Sequence, residues 1–350
     1  LEMLNAAEYV ATAKALGIYC NNGGFNTDNY KVITRTGMVN NHYLAFSGGT
    51  PQSNYRASFG VMDHNTIIKK MDYNVFVAKV DVTQKAFNDR LTGEFGVFGS
   101  SFKNHDIFDT QMLFYSAACQ NPTFPAGTDE HGNWLKNESA THVNPPGILL
   151  EEKNDSKDLN FDAHIKLSYD FNKNWRVSTF GSYLYGSTEN GQFCPTWVWA
   201  QGNVYRGEFK KEEWLGNVSL DFNKEFGIHK VSAGVSSEYR KLRKTAFWVY
   251  AKGIPTNDFH YDNLGATAAR PYGGTESTYE DQSLASVMGS ITYNLLDRYT
   301  LAVNARGDGS SMVGDNNTWG FFPSVSFTWD MKKESFLANI KPLSMLKLRT

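Results

Sequence analysis

The residues that could do chemistry are few in this sequence and lie far apart. His105 and Asp106 are neighbours, and a histidine with a carboxylate can form a general base with its orienting partner. The sequence has eight histidines in 350 residues, so one such pair is expected by chance. Nucleophile-elbow, zinc-protease and phosphate-loop motifs are absent from it. We therefore predict no catalytic site, with hydrolysis at His105 and Asp106 as the weaker alternative.

A second group of residues could bind a metal ion. Asp308, Asp315, Asn316 and Asn317 lie close together and carry the oxygen ligands that a hard cation such as calcium prefers. Asp and Asn are also common turn-forming residues, and we favour that interpretation. The prediction is that no metal and no cofactor is bound, with calcium in these loops as the alternative.

The three cysteines are Cys20, Cys119 and Cys194. They are too few and too widely spaced for a disulfide framework or a metal cluster. One disulfide between loops is compatible with an oxidising compartment. The sequence does not choose among the pairings.

Aromatic residues outside the strand cores are the candidates for contact with a ligand or a lid. Aromatic rings in loops stack on sugar faces and anchor protein partners. The candidates in this sequence are Trp134, Trp197, Trp199, Trp248 and Tyr272. For each ring, ordinary packing inside its loop is the favoured alternative.

β-Strands must position these residues, because apolar and polar residues alternate through most of the sequence. Between 161 and 171 the odd positions are apolar or aromatic, whereas the even positions include Asp162, His164 and Lys166. A period of two places successive side chains on opposite faces of a strand. The predicted strands cover 41–48, 53–62, 72–83, 89–102, 157–171, 174–187, 204–222, 228–243, 279–294, 298–308, 318–330 and 343–350.

The first 40 residues do not alternate. Asn5 is a good N-cap for a helix over 6–16, and Gly17 can end that helix. Asparagines and glycines at 21–26 then indicate a loop. We expect 1–40 to be a loop region with one short helix, followed by strands over 41–350.

The polar face of the predicted strands is too charged for the core of a β-sandwich, because buried charges need partners. A water-filled lumen accommodates them, and lipid accommodates the apolar face. Asp162, His164, Lys166 and Arg306 are therefore predicted to face a lumen. The predicted fold class is all-β, a transmembrane antiparallel β-barrel of which the sequence supplies about 12 consecutive strands. A soluble β-protein such as a propeller is the alternative.

The connections between predicted strands alternate in length, as they do in a porin-like barrel with short periplasmic turns and long extracellular loops. The parity of the strands then places 1–40 outside the cell. A net charge of −2 argues against a nucleic-acid partner. The short connections are 48–52, 84–88, 172–173, 223–227 and 295–297; the long ones are 63–71, 103–156, 188–203, 244–278 and 309–317.

One stretch of the sequence carries a family resemblance. Residues 306–311 and 314–324 resemble the R-x-DGSS and W-G-x-FPS signature of the SusC/RagA-type TonB-dependent outer-membrane transporters of Bacteroidetes. The hairpin over 47–60, the segment 121–125 and the strand 346–349 resemble other parts of that family in the same order. Met312 and Val313 depart from the usual basic-plus-Phe pair. The motif residues, which we take as structural, are Arg306, Asp308, Gly309, Ser310, Ser311, Gly320, Phe322, Pro323 and Ser324.

The resemblance implies a 22-stranded barrel in the intact protein, whose plug, TonB box and C-terminal strands lie outside these residues. It implies a location in the outer membrane of a Gram-negative bacterium, surrounded by outer-membrane lipid. The implied partners are a SusD-like surface lipoprotein and the TonB-ExbB-ExbD complex. The implied function is active import, with a glycan or oligosaccharide favoured as substrate. Peptide import, a passive porin and an outer-membrane hydrolase are the alternatives.

Overall fold

In the computed structural model, which describes residues 3–135, 143–314 and 318–350, the strands form a single antiparallel sheet. Its twelve strands pair in sequence order, and β1 and β12 do not pair with each other within the described residues. The predicted strands and their antiparallel order are confirmed. The strands are β1 Met38–Gly49, β2 Ser53–Asn65, β3 Asp72–Ala86, β4 Leu91–Asp106, β5 Lys153–Asp170, β6 Trp175–Cys194, β7 Asn203–Phe226, β8 His229–Lys252, β9 Thr275–Leu295, β10 Tyr299–Ser310, β11 Trp319–Asp330 and β12 Lys347–Arg349.

The sheet has two chemically different faces, as the alternation predicts. On one of them, which we call the outer face, Phe321 and Val325 of β11 have 70% and 67% of their surface exposed. The other, which we call the inner face, carries Asp162, His164, Lys166 and Arg306 at the alternate positions. Because large apolar side chains are exposed along whole strands, the outer face is suited to lipid and not to water.

The outer face divides along the strands into an apolar band and a charged rim. On β7 the band runs from Phe222 to Trp214, about 26 Å along the strand at ~3.3 Å per residue. Ring pairs lie at both of its edges, with centroids 4.7 Å apart for Trp175 and Phe222 and 4.2 Å apart for Tyr183 and Trp214. This spacing matches the apolar band and aromatic girdles of membrane barrels. The charged rim begins beyond the second ring pair, toward the long loops.

Several strands continue through this rim, farther than the alternation predicts. The strand predicted to end at 243 extends as β8 to Lys252, and the one predicted to end at 187 extends as β6 to Cys194. Beyond the band, charged residues occupy both faces, so the alternation fades while the hydrogen-bonded ladder between β7 and β8 continues. The long connections are correspondingly shorter than predicted: 66–71, 107–152, 195–202, 253–274 and 311–318.

Short helices lie before the first strand and in the connections between later strands. Asn5 caps the first with its side chain, Glu8 returns the hydrogen bond, and Gly17 follows the helix with φ +68°, so the predicted helix is confirmed. A second ten-residue helix, Thr110–Cys119, lies between β4 and β5 and has Asp109 as its N-cap. No helix in the described residues is long and apolar enough to cross a membrane. The helices are α1 Ala6–Ala15, α2 Asn29–Ile33, α3 Thr110–Cys119, α4 Pro145–Glu151 and α5 Ser335–Ala338.

Buried apolar residues gather at the long-loop end of the sheet in two clusters. The first joins α2, α3 and α4 through Ile33, Leu113 and Ile148, all fully buried. The second packs the connection 253–274 against β6, β7 and β8 through Phe193 and Val204, with Ile254 from the connection itself. These clusters fix the loops to the end of the sheet, so the loops there form a packed surface.

Candidate functional site: the inner face and the long-loop end

The inner face carries an ion pair within the signature motif. The Arg306 guanidinium donates to Asp308, with Nε 2.8 Å from each carboxylate oxygen. Ser286 on β9 joins the pair, because its hydroxyl lies 2.5 Å from Asp308 and 3.1 Å from the arginine. The side chains of Arg306, Asp308 and Ser286 thus all have hydrogen-bond partners on the same or the adjacent strand. These contacts join β9 to β10, and the structural role of the motif remains a prediction.

The second predicted group on the inner face lies on β5. Lys166 pairs with Glu94 of β4 at 3.3 Å, and His164 Nδ1 lies 3.5 Å from Asp162. The histidine ring lies over Gly96, where a Cβ would come within 2.3 Å of it. Both contacts are partly exposed, so they line the open inner face with accessible polar and charged groups.

The two predicted groups share a face but do not form one site. β5 and β10 are five positions apart in the sheet, roughly 24 Å at about 4.8 Å per strand. The inner face thus presents separate charged patches along a wall. Such an arrangement can guide a polar solute without holding it tightly at one point.

Two of the five aromatic candidates come together on one carboxylate. Trp134 and Trp197 both donate their indole N–H to the carboxylate of Glu151 at the end of α4. The distance from Trp197 Nε1 to the carboxylate oxygen is 2.6 Å. Their ring centroids are 6.2 Å apart, and Gly147 fits beneath both rings because it has no Cβ. Both rings are half-buried, in keeping with packing inside the loops.

The other three aromatic candidates lie apart from this pair. Trp199 is half exposed in the connection after β6, and Tyr272 extends fully into solvent. Trp248 lies on β8 opposite Gly207, at a position of the inner face beyond the level of the apolar band. Their contact with a ligand or lid remains a prediction. Tyr272 and Trp199 are the accessible members of the set.

A buried carboxyl group that the sequence does not reveal lies beside this loop surface. Glu152, only 3% exposed, follows α4 and accepts the Asp109 backbone N–H at 3.1 Å. The fully buried Cys194 thiol lies 3.5 Å from it. Burial raises the pKa of Glu152 to about 7, and burial together with this carboxylate raises the pKa of Cys194. All three cysteine thiols are free in the structure.

His105 and Asp106 cannot act together as a catalytic pair. They are successive residues of β4, so their side chains leave opposite faces of the sheet. His105 instead faces Asp155 of β5, with Nδ1 3.0 Å from the carboxylate, and Tyr261 donates to the same carboxylate at 2.5 Å. The observed histidine–carboxylate pair is thus a contact between strands in the charged rim.

Of the proposed calcium ligands, only Asp308 lies within the described residues; Asp315, Asn316 and Asn317 lie outside them. Both carboxylate oxygens of Asp308 accept from Arg306. Over the described ranges, no group of three or more His, Cys, Asp or Glu side chains is arranged to hold a metal ion. Calcium in these loops remains an untested alternative.

Residues 101–341 match the family described as TonB dependent receptor-like, beta-barrel. The chain is 28% identical to TonB-dependent receptor P3 of Formosa agariphila, over 100% of this chain and 36% of that protein. It is 27% identical to TonB-dependent receptor SusC of Bacteroides thetaiotaomicron, over 99% and 37% respectively. It thus spans just over a third of the length of these relatives.

Among solved structures, the RagAB peptide importer in its closed-closed state has the same fold, with a TM-score of 0.73. The likeness covers 99% of this chain and 44% of that one, at 13% identity. The match over 101–341 includes the end of β4 and all seven strands from β5 to β11. These findings confirm the SusC/RagA-type resemblance, and the chain belongs to the TonB-dependent receptor-like β-barrel family.

Proposed function

We propose that this chain forms part of the wall and the extracellular loops of an active importer in the outer membrane of a Gram-negative bacterium. The observation that carries the proposal is the two-faced sheet. An exposed apolar band, which covers nine residues of β7, lies on one face, and ion-paired polar patches lie on the other. A wall of this kind separates lipid from a water-filled path.

The substrate we propose is a glycan or oligosaccharide. Sugars are polar and uncharged, and they bind through stacking on aromatic rings together with hydrogen bonds to fixed polar groups. The loop end offers accessible rings at Trp199 and Tyr272, and the inner face offers Asp162, His164 and Lys166. Capture at the loops followed by passage along the inner wall uses both groups. We assign no catalytic reaction to the chain.

Peptide import is the second candidate. Its support is the fold that this chain shares with the RagAB peptide importer. The inner-face ion pairs suit a zwitterionic backbone and charged side chains. Glycans remain our choice because the SusC/RagA-type resemblance favours a glycan or oligosaccharide, and the accessible rings at Trp199 and Tyr272 suit sugar faces.

In this proposal two partners complete the transporter. A SusD-like surface lipoprotein would close over the packed loop end, where α1 and the following segment expose Leu16, Ile18 and Tyr19. The TonB-ExbB-ExbD complex would supply energy through parts of the protein outside this chain. A passive porin would need neither partner.

Growth and binding experiments test this proposal. We expect a deletion strain of the source bacterium to lose growth on one class of glycan and to keep growth on a peptide digest. The purified full-length protein with its lipoprotein should bind that glycan in calorimetry. Loss of growth on peptides alone would transfer the assignment to peptide import. Unchanged growth after removal of TonB would point to a passive pore.

A further inference from the structure

A cavity lies at the long-loop end, between α1, α2 and the last turn of α3. It has a volume of about 750 Å³, which is within the range of small-molecule sites. Tyr9 of α1 contributes to one wall, but Ala13 is the one buried residue of that helix, and α1 joins neither buried cluster of the described residues. The three helices stand apart here instead of packing, so there is room for a ligand.

One side of the cavity contains buried polar atoms that have no hydrogen-bond partner in the described part of the chain. Asn29 begins α2 and Gln120 follows α3; both line the cavity, and each is only 7% exposed. The unpartnered atoms are Asn29 Oδ1 and Gln120 Oε1, with a third, Ser116 Oγ, one turn earlier in α3. A buried acceptor without a donor costs free energy, and most such atoms in folded proteins are satisfied. A donor from outside the chain would satisfy these two amides.

The two amides are held in place before any ligand binds. The Asn29 side chain donates to the Gln120 backbone carbonyl at 3.4 Å, so the two residues are neighbours. Backbone hydrogen bonds also join the segment before α2 to the segment after α3, for example from the Phe25 N–H to the Thr123 carbonyl at 3.0 Å. Acceptors that are fixed in this way lose little freedom when a ligand binds, which favours affinity.

The lining of the cavity indicates the chemistry of the ligand. Amide oxygens accept hydrogen bonds and do not donate them, so the ligand must present O–H or N–H groups. Asp28 and Lys31, the charged residues of the lining, pair with each other at 3.2 Å, so the site has no excess charge that would favour an ion. Tyr9 and Tyr30 add aromatic residues to the walls. Hydroxyl donors together with a face that packs on rings are features of a neutral sugar.

We propose that this cavity binds one end of a neutral oligosaccharide, whose hydroxyls donate to Asn29 Oδ1 and Gln120 Oε1. The described lining includes none of the residues named above as substrate contacts, so this is a separate site. The choice of a sugar over a peptide rests on the proposed function, whereas the requirement for a donor ligand does not. At the long-loop end, the site would capture substrate before it reaches the inner face.

The test is amide hydrogen exchange of the full-length protein in detergent, with and without millimolar neutral trisaccharides of glucose, mannose, galactose or xylose. We expect at least one of them to slow exchange in 26–31 and 117–122. Gln120→Met keeps the shape of the side chain but removes the acceptor, so the sugar concentration for half-maximal protection should rise about tenfold. Gln111→Met, at an exposed position of the same helix, is the matched control and should leave that concentration unchanged.

The stability of the variant provides a second measurement. Because the Gln120 oxygen has no partner in the described chain, Gln120→Met should unfold at the same denaturant concentration as wild type or at a higher one. A lower midpoint would show that the oxygen already has a partner in the full-length protein, and the proposal would then be wrong.

Three exchange results would also overturn the proposal: no protection by any of the trisaccharides, unchanged protection in Gln120→Met, or an equal loss in Gln111→Met. Protection by a peptide digest alone would overturn the choice of a sugar. Failure of the import function is recognised separately, as unchanged growth of the deletion strain on glycans while the trisaccharide still protects this site. Loss of growth on a glycan without protection would remove the site and leave the import function.

Discussion

Glu152 and Cys194 face each other at the long-loop end of β5 and β6, with the thiol sulfur 3.5 Å from a carboxylate oxygen and both side chains buried. Glu152 also accepts the N–H of Asp109, the residue that caps α3. One carboxyl group therefore connects the end of the sheet to the start of the longest connection. Its protonation state influences how firmly α3 is held.

Loop docking should weaken as the pH rises. The pKa of Glu152 is raised from 4.5 to about 7, so the folded state binds a proton more tightly than the unfolded state does. The stabilisation is fully present below about pH 4.5 and is lost as the pH approaches 7, amounting to about 3 kcal/mol at most. We expect amide exchange in α3, corrected for its intrinsic pH dependence, to accelerate over this interval.

Glu152→Gln provides the control, since the amide keeps a neutral acceptor for the Asp109 N–H. In this variant the corrected exchange of α3 should no longer depend on pH. Exchange in β10, far from the loop cluster, should be unaffected in both proteins. A pH dependence that survives in Glu152→Gln would assign the effect to another group.

Glu151→Ala should release the connection between β4 and β5. The substitution removes the acceptor of two indole N–H groups, and hydrogen bonds to a charged partner contribute roughly 1.5–3 kcal/mol each. We expect tryptophan emission to shift to longer wavelength as Trp134 and Trp197 become exposed, and protease cleavage within 107–152 to increase. Trp199→Phe, which replaces a half-exposed ring outside this contact, should leave cleavage at the wild-type rate.

The sequence revealed the strands well and the loops poorly, for a physical reason. Within the apolar band each strand residue faces either lipid or the inner side, so a two-residue period is imposed locally and can be read in β5 or β11 directly. Burial at the loop end depends on residues distant in sequence, such as Ile33 and Ile148, which meet only after the sheet has formed. No local sequence pattern predicts this tertiary contact. The same holds for Glu151, whose two partners lie in different connections.

The signature motif should act on stability and not on ligand binding. Arg306→Ala leaves Asp308 without its main partner, so we expect a lower denaturant midpoint for unfolding of the purified barrel. Adding Asp308→Ala should recover part of the loss, because the uncompensated carboxylate is then gone. Substrate affinity of the folded protein should be unchanged in both variants. A selective loss of affinity at wild-type stability would instead make Arg306 a ligand contact.

Gly96 and His164 should be energetically coupled across β4 and β5. Alanine at position 96 would place its Cβ 2.3 Å from the histidine ring, a distance that forces the ring to turn away from Asp162. Overpacking of this kind costs about 1–3 kcal/mol. In the double variant Gly96→Ala/His164→Ala the clash is absent, so most of that loss should be recovered in chemical unfolding of the barrel.

Gly216→Ala is the matched comparison, because a Cβ there meets no atom within 4 Å. This variant also replaces a strand glycine by alanine, but without a clash. Any loss of unfolding free energy in Gly96→Ala beyond the loss in Gly216→Ala therefore measures the contact with the His164 ring. If Gly96→Ala and Gly216→Ala had the same unfolding free energy, or if His164→Ala failed to recover stability, the close packing of ring and glycine would be disproved. With coupling present, the His164 ring is held in a single orientation beside Asp162 on the inner face.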